Sequence, residues 1–283
     1  KSGNGCISIK KITIPENSYA SSSNSQGWKC KSGYYETYNN YCLRLPSNAI
    51  ARTYGDGFYC KSGYEKTGLS CIAKINPEDA YKKAKTAYEN KDYQTALREF
   101  TVLAKTGNKK AQSYLGYMYD MGYGVTKDYK LAVSWYRKSA NQGYSTAQNN
   151  LGTMYENGQG VTKDYKLAVS WYRKAANQGN STAQNNLGVK YENGNGITKD
   201  YKLAVSWYRK AANQGNSTAQ SNLGTMYREG WGVTQDYKLA LSWYRKAANQ
   251  GNYRGQNNLG YMYEFGKGVT KDYKQAVSWY RKA

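Results

Sequence analysis

The residues able to do covalent or metal chemistry are few in this chain. Among its 283 residues there is no His, so the chain cannot build a Ser-His-Asp or Cys-His catalytic group, a His proton shuttle or a mixed Cys/His zinc site. The five Cys all lie in the first 71 residues, at positions 6, 30, 42, 60 and 71. We therefore expect a non-enzymatic protein without a cofactor.

Four of these cysteines belong to two similar segments. "GWKCKSGYYETYNNYC" from Gly27 is echoed by "GFYCKSGYEKTGLSC" from Gly57, and each copy carries two Cys about a dozen residues apart, the spacing of a small disulfide loop. Such small polar segments cannot hold a core when reduced, whereas a disulfide would stabilise each by roughly 2–4 kcal/mol. The segments therefore predict bridges Cys30–Cys42 and Cys60–Cys71, short strands around them, and an oxidising compartment. A structural zinc site is the alternative, although the spacing is long for one.

Cys6 has no partner in this scheme. The sequence around it resembles that around Cys71, so Cys6 corresponds to the second Cys of an earlier unit. We therefore expect the biological chain to start upstream of Lys1.

The rest of the chain is built from a repeated unit. "KDYKLAVSWYRKAANQG" at 163–179 recurs unchanged at 199–215, near-copies stand at 127–143 and 235–251, and a shortened copy occupies 271–283. The copies start 36 residues apart, which favours a stack of small units over one closed core.

Each unit has the sequence signals of two helices and a loop. One helix is predicted from Ser181 as N-cap to Gly194, and the next from Asp200 as N-cap to Gly215 as C-cap. The second helix has one broad apolar face. That face is formed by Tyr165, Ala168, Val169, Trp171, Tyr172, Ala175 and Ala176. Gly152 on a first helix would permit a neighbouring helix to approach closely. Neither helix pair has enough apolar surface to be stable alone, so neighbouring units must stack.

The pattern Ala…Leu-Gly…Met-Tyr…Gly-x-Gly-Val…Asp-Tyr…Ala…Trp-Tyr…Lys-Ala-Ala…Gly resembles the Sel-one-like repeat family, relatives of tetratricopeptide repeats. Five copies span 111–283, and 76–110 is similar to a tetratricopeptide-like capping hairpin. Residues 1–75 are interpreted as tandem small disulfide-bonded modules with a Cys-x-x-Gly-Tyr pattern. The resemblance implies an all-α fold, a right-handed superhelical solenoid of helical hairpins, after a small disulfide-rich β or irregular region. It also implies adaptor work, often in exported bacterial proteins.

Positions that differ between copies are the candidate partner contacts, since the constant residues are needed for stacking. The outward stripe of the five first helices is predicted to be Ser113, Tyr117, Asp120; Asn149, Thr153, Glu156; Asn185, Val189, Glu192; Ser221, Thr225, Arg228; and Asn257, Tyr261, Glu264. From it we select Tyr117, Thr153, Val189, Thr225, Arg228 and Tyr261 as partner-binding. The loop tips add Tyr123 and Trp231, and Trp231 is either an exposed anchor or packs on a neighbouring loop.

The charge pattern offers a second surface. The formal net charge is +22, which favours anionic partners such as acidic glycans or phospholipid head groups. Basic residues recur on the outer face of every second helix and would form one positive stripe, or a merely solvated face. The candidate anionic-surface residues are Lys166, Arg173, Lys174, Lys202, Arg209 and Lys210.

These features predict an exported bacterial scaffold, in the periplasm, at the cell surface or outside the cell, that binds a protein through the concave face and varied loops. One alternative is a module that binds the cell envelope or an anionic glycan, with Trp28 and Tyr59 as stacking platforms. Another is a subunit of an extracellular assembly or filament that self-associates through Trp279, Tyr280 and Ala283, unless a further element covers that end. Cys-rich relatives linked with β-lactamase activity are similar only in helix pattern. Nucleic acid and a membrane-spanning segment are not expected.

Overall fold

The computed structural model describes residues 76–283 and, before them, eight short strands. The chain divides into two compact units, Lys1–Asn76 and Pro77–Ala283. In the first unit consecutive strands pair antiparallel into two-stranded sheets. The pairs are β1 (Ser18–Ala20) with β2 (Trp28–Cys30), β3 (Tyr34–Glu36) with β4 (Cys42–Arg44), β5 (Ala49–Ala51) with β6 (Phe58–Cys60), and β7 (Tyr64–Thr67) with β8 (Ser70–Ala73).

Four of the cysteines fall in these strands, at the end of β2, the start of β4, the end of β6 and within β8. Their side chains lie outside the described residues, as does all of Cys6. The bridges Cys30–Cys42 and Cys60–Cys71, and with them the disulfide-rich character of the first unit, therefore stay predictions.

The second unit is a helical solenoid. Its helices pack in chain order, each against the one before and the one after. They are α1 (Pro77–Glu89), α2 (Tyr93–Lys105), α3 (Lys109–Met121), α4 (Tyr129–Asn141), α5 (Ser145–Asn157), α6 (Tyr165–Asn177), α7 (Ser181–Asn193), α8 (Tyr201–Asn213), α9 (Ser217–Glu229), α10 (Tyr237–Asn249), α11 (Tyr253–Phe265) and α12 (Tyr273–Tyr280). The predicted solenoid of helical hairpins is thus confirmed for this part of the chain.

Side-chain caps start ten of the twelve helices of this unit, and left-handed glycines end five of them. The Asp200 side chain accepts from the Leu203 N–H at the start of α8, as predicted. Gly194 ends α7 in the left-handed conformation, also as predicted. Two of the predicted boundaries were wrong by one residue. Asn180 rather than Ser181 caps α7, and Gln214 rather than Gly215 follows the last turn of α8. The Asn180 side chain accepts from the Ala183 N–H, so Ser181 already belongs to the first turn of α7.

The apolar clusters of the repeats join the second helix of one hairpin to the first helix of the next. Ala168, Val169 and Tyr172 of α6 are buried in one such cluster, whereas Trp171 is only half-buried and packs against the cluster formed by α4 and α5. The Tyr172 ring lies directly on Gly152 of α5, where an added Cβ would stand 2.8 Å from two ring carbons. The predicted close approach at Gly152 is therefore confirmed, and a tyrosine ring is what approaches.

Candidate partner-binding surface

A buried polar ladder holds successive repeats in register. Gln148 of α5 donates to the Ala140 carbonyl at 3.1 Å and accepts from Gln178 at 2.7 Å. The same paired contacts recur around Gln112, Gln184 and Gln220. Because each bond joins different helices, the ladder fixes the positions of the first helices α3, α5, α7 and α9. Sequence reasoning missed it, although these glutamines occur at one position of every copy.

A second set of amides links first helices side by side. Asn186 donates to the Asn149 side-chain oxygen at 3.0 Å, and Asn222 donates to that of Asn185 at the same distance. Asn149 and Asn185 are only 7% exposed, and Ser113 and Ser221 are also buried. The outward stripe predicted for the first helices was therefore wrong at these four positions, and at Asn149 and Asn185 an amide of the next first helix is what covers the side chain.

The positions Thr153, Thr225 and Val189 are partly buried. The Thr153 hydroxyl lies 3.1 Å from that of Tyr172, and the Thr225 hydroxyl lies 3.0 Å from that of Tyr244. Val189 packs against the next apolar cluster. Each side chain thus supports the core while it shows part of its surface to solvent.

Tyrosines crowd together where the solenoid begins. A groove of about 460 Å³ is lined by Tyr88 from α1, by Tyr114 and Tyr117 from α3, and by Tyr144 at the start of α5. Ser113, Thr146 and Asn150 complete its lining. Its volume lies within the range of natural ligand sites. Of these residues Ser113 and Tyr117 were predicted on the outward stripe, and only Tyr117 was selected as partner-binding.

The rings of this groove meet at steep angles. The Tyr88 centroid lies 5.3 Å from that of Tyr114 at 72° and 6.5 Å from that of Tyr117 at 65°. Tyr123, the other predicted residue at this end, stacks on Tyr93 with ring centroids 4.6 Å apart, and its centroid lies 6.0 Å from that of Tyr117. Burial first, and then the neighbouring tyrosines, raise the pKa of Tyr88 to about 12. Its hydroxyl is therefore uncharged near neutral pH.

Tyr144 breaks the capping rule that the other first helices of the repeats follow. Asn108, Asn180, Asn216 and Asn252 each accept a backbone N–H at the start of their helix, but Tyr144 makes no side-chain cap bond. Losing an Asn cap typically costs about 1 kcal/mol. The tyrosine instead places its ring in the groove.

A second groove lies near the other end of the solenoid. It encloses about 580 Å³ and is lined mainly by polar side chains of α9 and α11. Its lining consists of Ser221, Asn222, Thr225, Tyr253, Arg254, Asn257, Asn258, Tyr280 and Ala283. Arg228 beside it donates to the Asn258 side-chain oxygen at 3.1 Å and lies 5.4 Å from the Tyr261 ring centroid. The predicted residues Thr225, Arg228 and Tyr261 are thus brought together here.

Trp231 at a loop tip is 39% exposed. Its ring stacks on Tyr201 of the preceding hairpin, with centroids 5.3 Å apart and planes 20° apart. Trp231 is therefore both packed and exposed, since one face of its ring lies on Tyr201 and the rest of the side chain is in contact with solvent.

Several basic residues of the second helices contact aromatic side chains. The Lys174 ammonium lies 4.2 Å from the Trp171 ring centroid, and Lys210 is placed identically on Trp207. Arg173 and Arg209 donate to Tyr191 and Tyr227 hydroxyls of the following hairpin, at 3.3 and 2.9 Å. Lys166 and Lys202 are exposed. The predicted anionic surface is therefore partly engaged in contacts between repeats.

Lys190 is the largest departure from the repeat core. The other repeats carry Met118, Met154, Met226 and Met262 at this position, and all four are buried. Lys190 is buried as well, at 3% exposed, and its ammonium forms an ion pair with Glu156 of the preceding repeat. Glu156 also accepts from the Tyr172 hydroxyl at 2.7 Å. Sequence reasoning placed Glu156 outward and missed the pair, although Lys in place of Met signalled it.

Other kinds of site were sought in the same residues. Among the residues that the structure describes, no group of three or more acidic or Cys side chains could hold a metal ion. In that part of the chain no helix is both long and apolar enough to cross a membrane.

Two solved structures resemble the chain over most of its repeats. A Sel1 repeat protein from Oxalobacter formigenes is 37% identical, with a TM-score of 0.68 over 72% of this chain and 81% of that one. A protective antigen of uropathogenic Escherichia coli with an SLR fold is 39% identical, with a TM-score of 0.63 over 74% of this chain. The aligned part spans 48% of the length of that antigen. An immunity protein from Pseudomonas aeruginosa, at 23% identity and TM-score 0.51, shares the fold.

The family comparison agrees with the repeat pattern. No curated protein sequence matches the chain significantly. The family profile described as Sel1 repeat matches residues 109–144, 145–180, 181–216, 217–252 and 254–283, which is more than half of the chain. The chain therefore belongs to the Sel1 repeat family.

Proposed function

We propose that this chain is a non-enzymatic, exported bacterial scaffold that binds a protein partner through the first-helix face of its solenoid, the surface that carries both grooves. Sel1 repeat proteins are typically protein-interaction scaffolds. The observation that carries the proposal is that the repeat copies differ where the grooves are lined. Tyr114 and Tyr117 stand where the next copy has Asn150 and Thr153, and Arg254 stands in the groove at the other end.

Export is part of the proposal and depends on the cysteines of the first unit. Disulfides persist in oxidising compartments, and two Cys pairs of matching spacing suit small units with little core. The location that we propose for the whole chain, including residues 1–75, is therefore the periplasm, the cell surface or the outside of the cell.

Photocrosslinking tests the surface directly. A benzoylphenylalanine residue is introduced in place of Tyr117 or Thr225 on the first-helix face, and in place of Lys166 on the outer face as a control. The three proteins are irradiated in an envelope extract of a Gram-negative bacterium. We expect one adduct of the same size from the two first-helix positions and none from Lys166. Adducts from Lys166 alone would refute the proposed surface.

A second candidate function is attachment to an anionic envelope surface. The exposed Lys166 and Lys202 and the net charge of +22 favour it. Binding to vesicles with anionic lipid or to an acidic glycan should then weaken steeply with salt and fall in a Lys166→Glu, Lys202→Glu variant. Salt-independent binding, or binding unchanged in the variant, would rule this candidate out.

Self-association through the last helices is a third candidate. Tyr273, Val277 and Tyr280 of α12 are 61%, 47% and 36% exposed. Sedimentation velocity at increasing concentration should show growth that Val277→Lys abolishes. A single monomeric species at every concentration would contradict it.

A further inference from the structure

The groove between α9 and α11 lies where the amide bonds of the middle repeats stop. Asn222 donates to the Asn185 side-chain oxygen at 3.0 Å, and the same repeat spacing would join Asn258 to residue 221. Ser221 stands there and carries no amide. Asn258 instead accepts from the Arg228 guanidinium at 3.1 Å. The change from Asn to Ser therefore places an arginine at the edge of this groove.

Arg228 reverses a charge that the other repeats keep. At this position they carry an acidic residue that accepts from the tyrosine hydroxyl of the second helix, namely Asp120, Glu156, Glu192 and Glu264. The corresponding hydroxyl here, that of Tyr244, lies 3.0 Å from the Thr225 hydroxyl. Because the fold accommodates the acid in four copies, packing does not account for the arginine.

Arg254 brings a second guanidinium to the same groove. It stands where the three preceding copies have threonine, and it lies one helical turn before Asn258 on α11. Its Nε–H donates to the Tyr253 hydroxyl at 2.9 Å. Within residues 76–283 Arg254 forms an ion pair with no carboxylate, whereas Arg228 pairs with Glu229 at 2.6 Å. The nine residues that the structure gives for the lining include Arg254 and no acid, so the groove attracts an anion.

Two asparagines of the lining present groups that suit a peptide backbone. Asn222 uses its amide nitrogen on Asn185, so its side-chain oxygen remains for a ligand. Asn258 uses its side-chain oxygen on Arg228, so its amide nitrogen remains. One acceptor and one donor on neighbouring helices match the N–H and the C=O of an extended peptide. The guanidinium groups would then take carboxylates of its side chains.

We propose that the groove between α9 and α11 binds an acidic segment of a protein partner, with Arg254 and Arg228 on its carboxylates and Asn222 and Asn258 on its backbone. The inference rests on the proposed function, since it names the chemistry that the partner presents to the first-helix face. The other repeats carry an acid where this one carries Arg228, so they would repel the same segment. The charge reversal therefore directs an acidic segment to this repeat.

Fluorescence anisotropy tests the ligand class. The full chain, at about 150 mM salt to screen distant charges, is titrated into a fluorescein-labelled oligoglutamate peptide and into a labelled Gly-Ser peptide of equal length. We expect a saturable rise with oligoglutamate only. Arg254→Thr and Arg228→Glu should each weaken that binding roughly tenfold. Both variants restore a residue that other repeats carry at the same position, so both should stay folded.

Matched controls separate the groove from the net charge of +22. Lys238 is exposed on the outer face of α10. Lys238→Thr removes the same charge as Arg254→Thr, and Lys238→Glu makes the same reversal as Arg228→Glu. Both control variants should bind oligoglutamate nearly as the unchanged chain does. If they weaken binding as much as the two groove variants, the attraction belongs to the whole surface and the inference is overturned.

The remaining outcomes separate this inference from the proposed function. The absence of saturable oligoglutamate binding would overturn the inference. Binding of an oligogalacturonate that Arg254→Thr abolishes, without oligoglutamate binding, would overturn it in favour of an acidic glycan. If the Thr225 photocrosslink to a protein persists while oligoglutamate fails, the ligand class is wrong and the proposed function stands. If both fail, both are wrong.

Discussion

Replacing Lys190 by Met should leave the solenoid equally stable or up to about 2 kcal/mol more stable. The position is 3% exposed, and Met fills it in the other repeats. Exchanging both partners of a buried ion pair for apolar groups that pack well is neutral or stabilising by about 1–4 kcal/mol, and Lys190→Met exchanges only the more deeply buried partner. We expect the lower part of that range, because the Glu156 side chain keeps 27% of its surface exposed and so retains part of its hydration.

Removing the other partner alone should have the opposite effect. Glu156→Gln keeps the shape and an acceptor for the Tyr172 hydroxyl, but it leaves the Lys190 charge buried without its carboxylate. Breaking a fully buried pair costs about 3–5 kcal/mol, so for this partly exposed carboxylate we expect roughly 1–3 kcal/mol. In the double variant the buried charge is gone, and most of that cost should disappear.

Guanidinium denaturation followed by circular dichroism measures all four proteins of this cycle. The two single changes should be non-additive by roughly 1–3 kcal/mol, provided that the denaturant slopes agree. Lys190→Ala serves as the control for packing, since it creates a cavity as well as removing the charge and should destabilise. A Lys190→Met variant less stable by more than about 1 kcal/mol, or an additive cycle, would refute the reasoning.

Four further predictions concern other parts of the chain. Burial raises the pKa of Tyr244 to about 12, as it does that of Tyr88. The free energy of unfolding gained from keeping these hydroxyls neutral is therefore complete below pH 10 and is lost as the pH rises through 12. A circular dichroism titration that shows unfolding complete at about pH 9 would contradict this. Gly152→Ala should destabilise the solenoid by about 1–3 kcal/mol, because the added Cβ would stand 2.8 Å from the Tyr172 ring. Ser170→Ala on the exposed face of α6 is the control and should not destabilise it. Equal melting temperatures for the two variants would disprove the clash. Trp207→Ala should destabilise the solenoid by about 2 kcal/mol, less than the loss of a fully buried Trp, because the ring is half-buried. Trp231→Ala should lower the melting temperature less and should weaken crosslinking to the partner. A lower melting temperature for Trp231→Ala than for Trp207→Ala would be inconsistent with the burial of the two rings. Peptide mapping by mass spectrometry without reductant should find Cys30 joined to Cys42 and Cys60 joined to Cys71, and four unmodified thiols in exported protein would disprove the bridges.

Local chemistry made most of the solenoid predictable. Asp200 and Gly194 mark helix ends because a cap bond and a left-handed backbone depend on a few neighbouring residues. The stacking of Tyr172 on Gly152 was readable in outline, since a glycine inside a helix that recurs at the same position needs a packing reason. These features recur in every copy, so each copy checks the others.

Contacts between repeats were harder to predict. A helical wheel places Asn149 outward, and it cannot show that Asn186 of the next repeat covers it. The same limit applies to Glu156, which the wheel also placed outward and which pairs with Lys190 one repeat later. Tyr144 could have been recognised as a departure from the repeat, because alignment of the copies shows a tyrosine where the later copies have asparagine. The groove that it lines could not, since Tyr88 of the hairpin before the repeats also lines it.

Under the proposed function, repeats of the same sequence offer a partner no unique register, so the repeats that differ from them should carry the recognition. Residues 163–179 and 199–215 are the same, so a partner that touched only such segments could bind equally well one repeat further along. The first-helix surface between them is also partly closed by the bonds from Asn186 to Asn149 and from Asn222 to Asn185. The two grooves differ from this pattern and from each other. One presents uncharged tyrosine rings, and the other presents Arg254 among amides and hydroxyls. A partner that engages both grooves would therefore be fixed in one register and one direction, and the repeats between the grooves would set the distance that it must span.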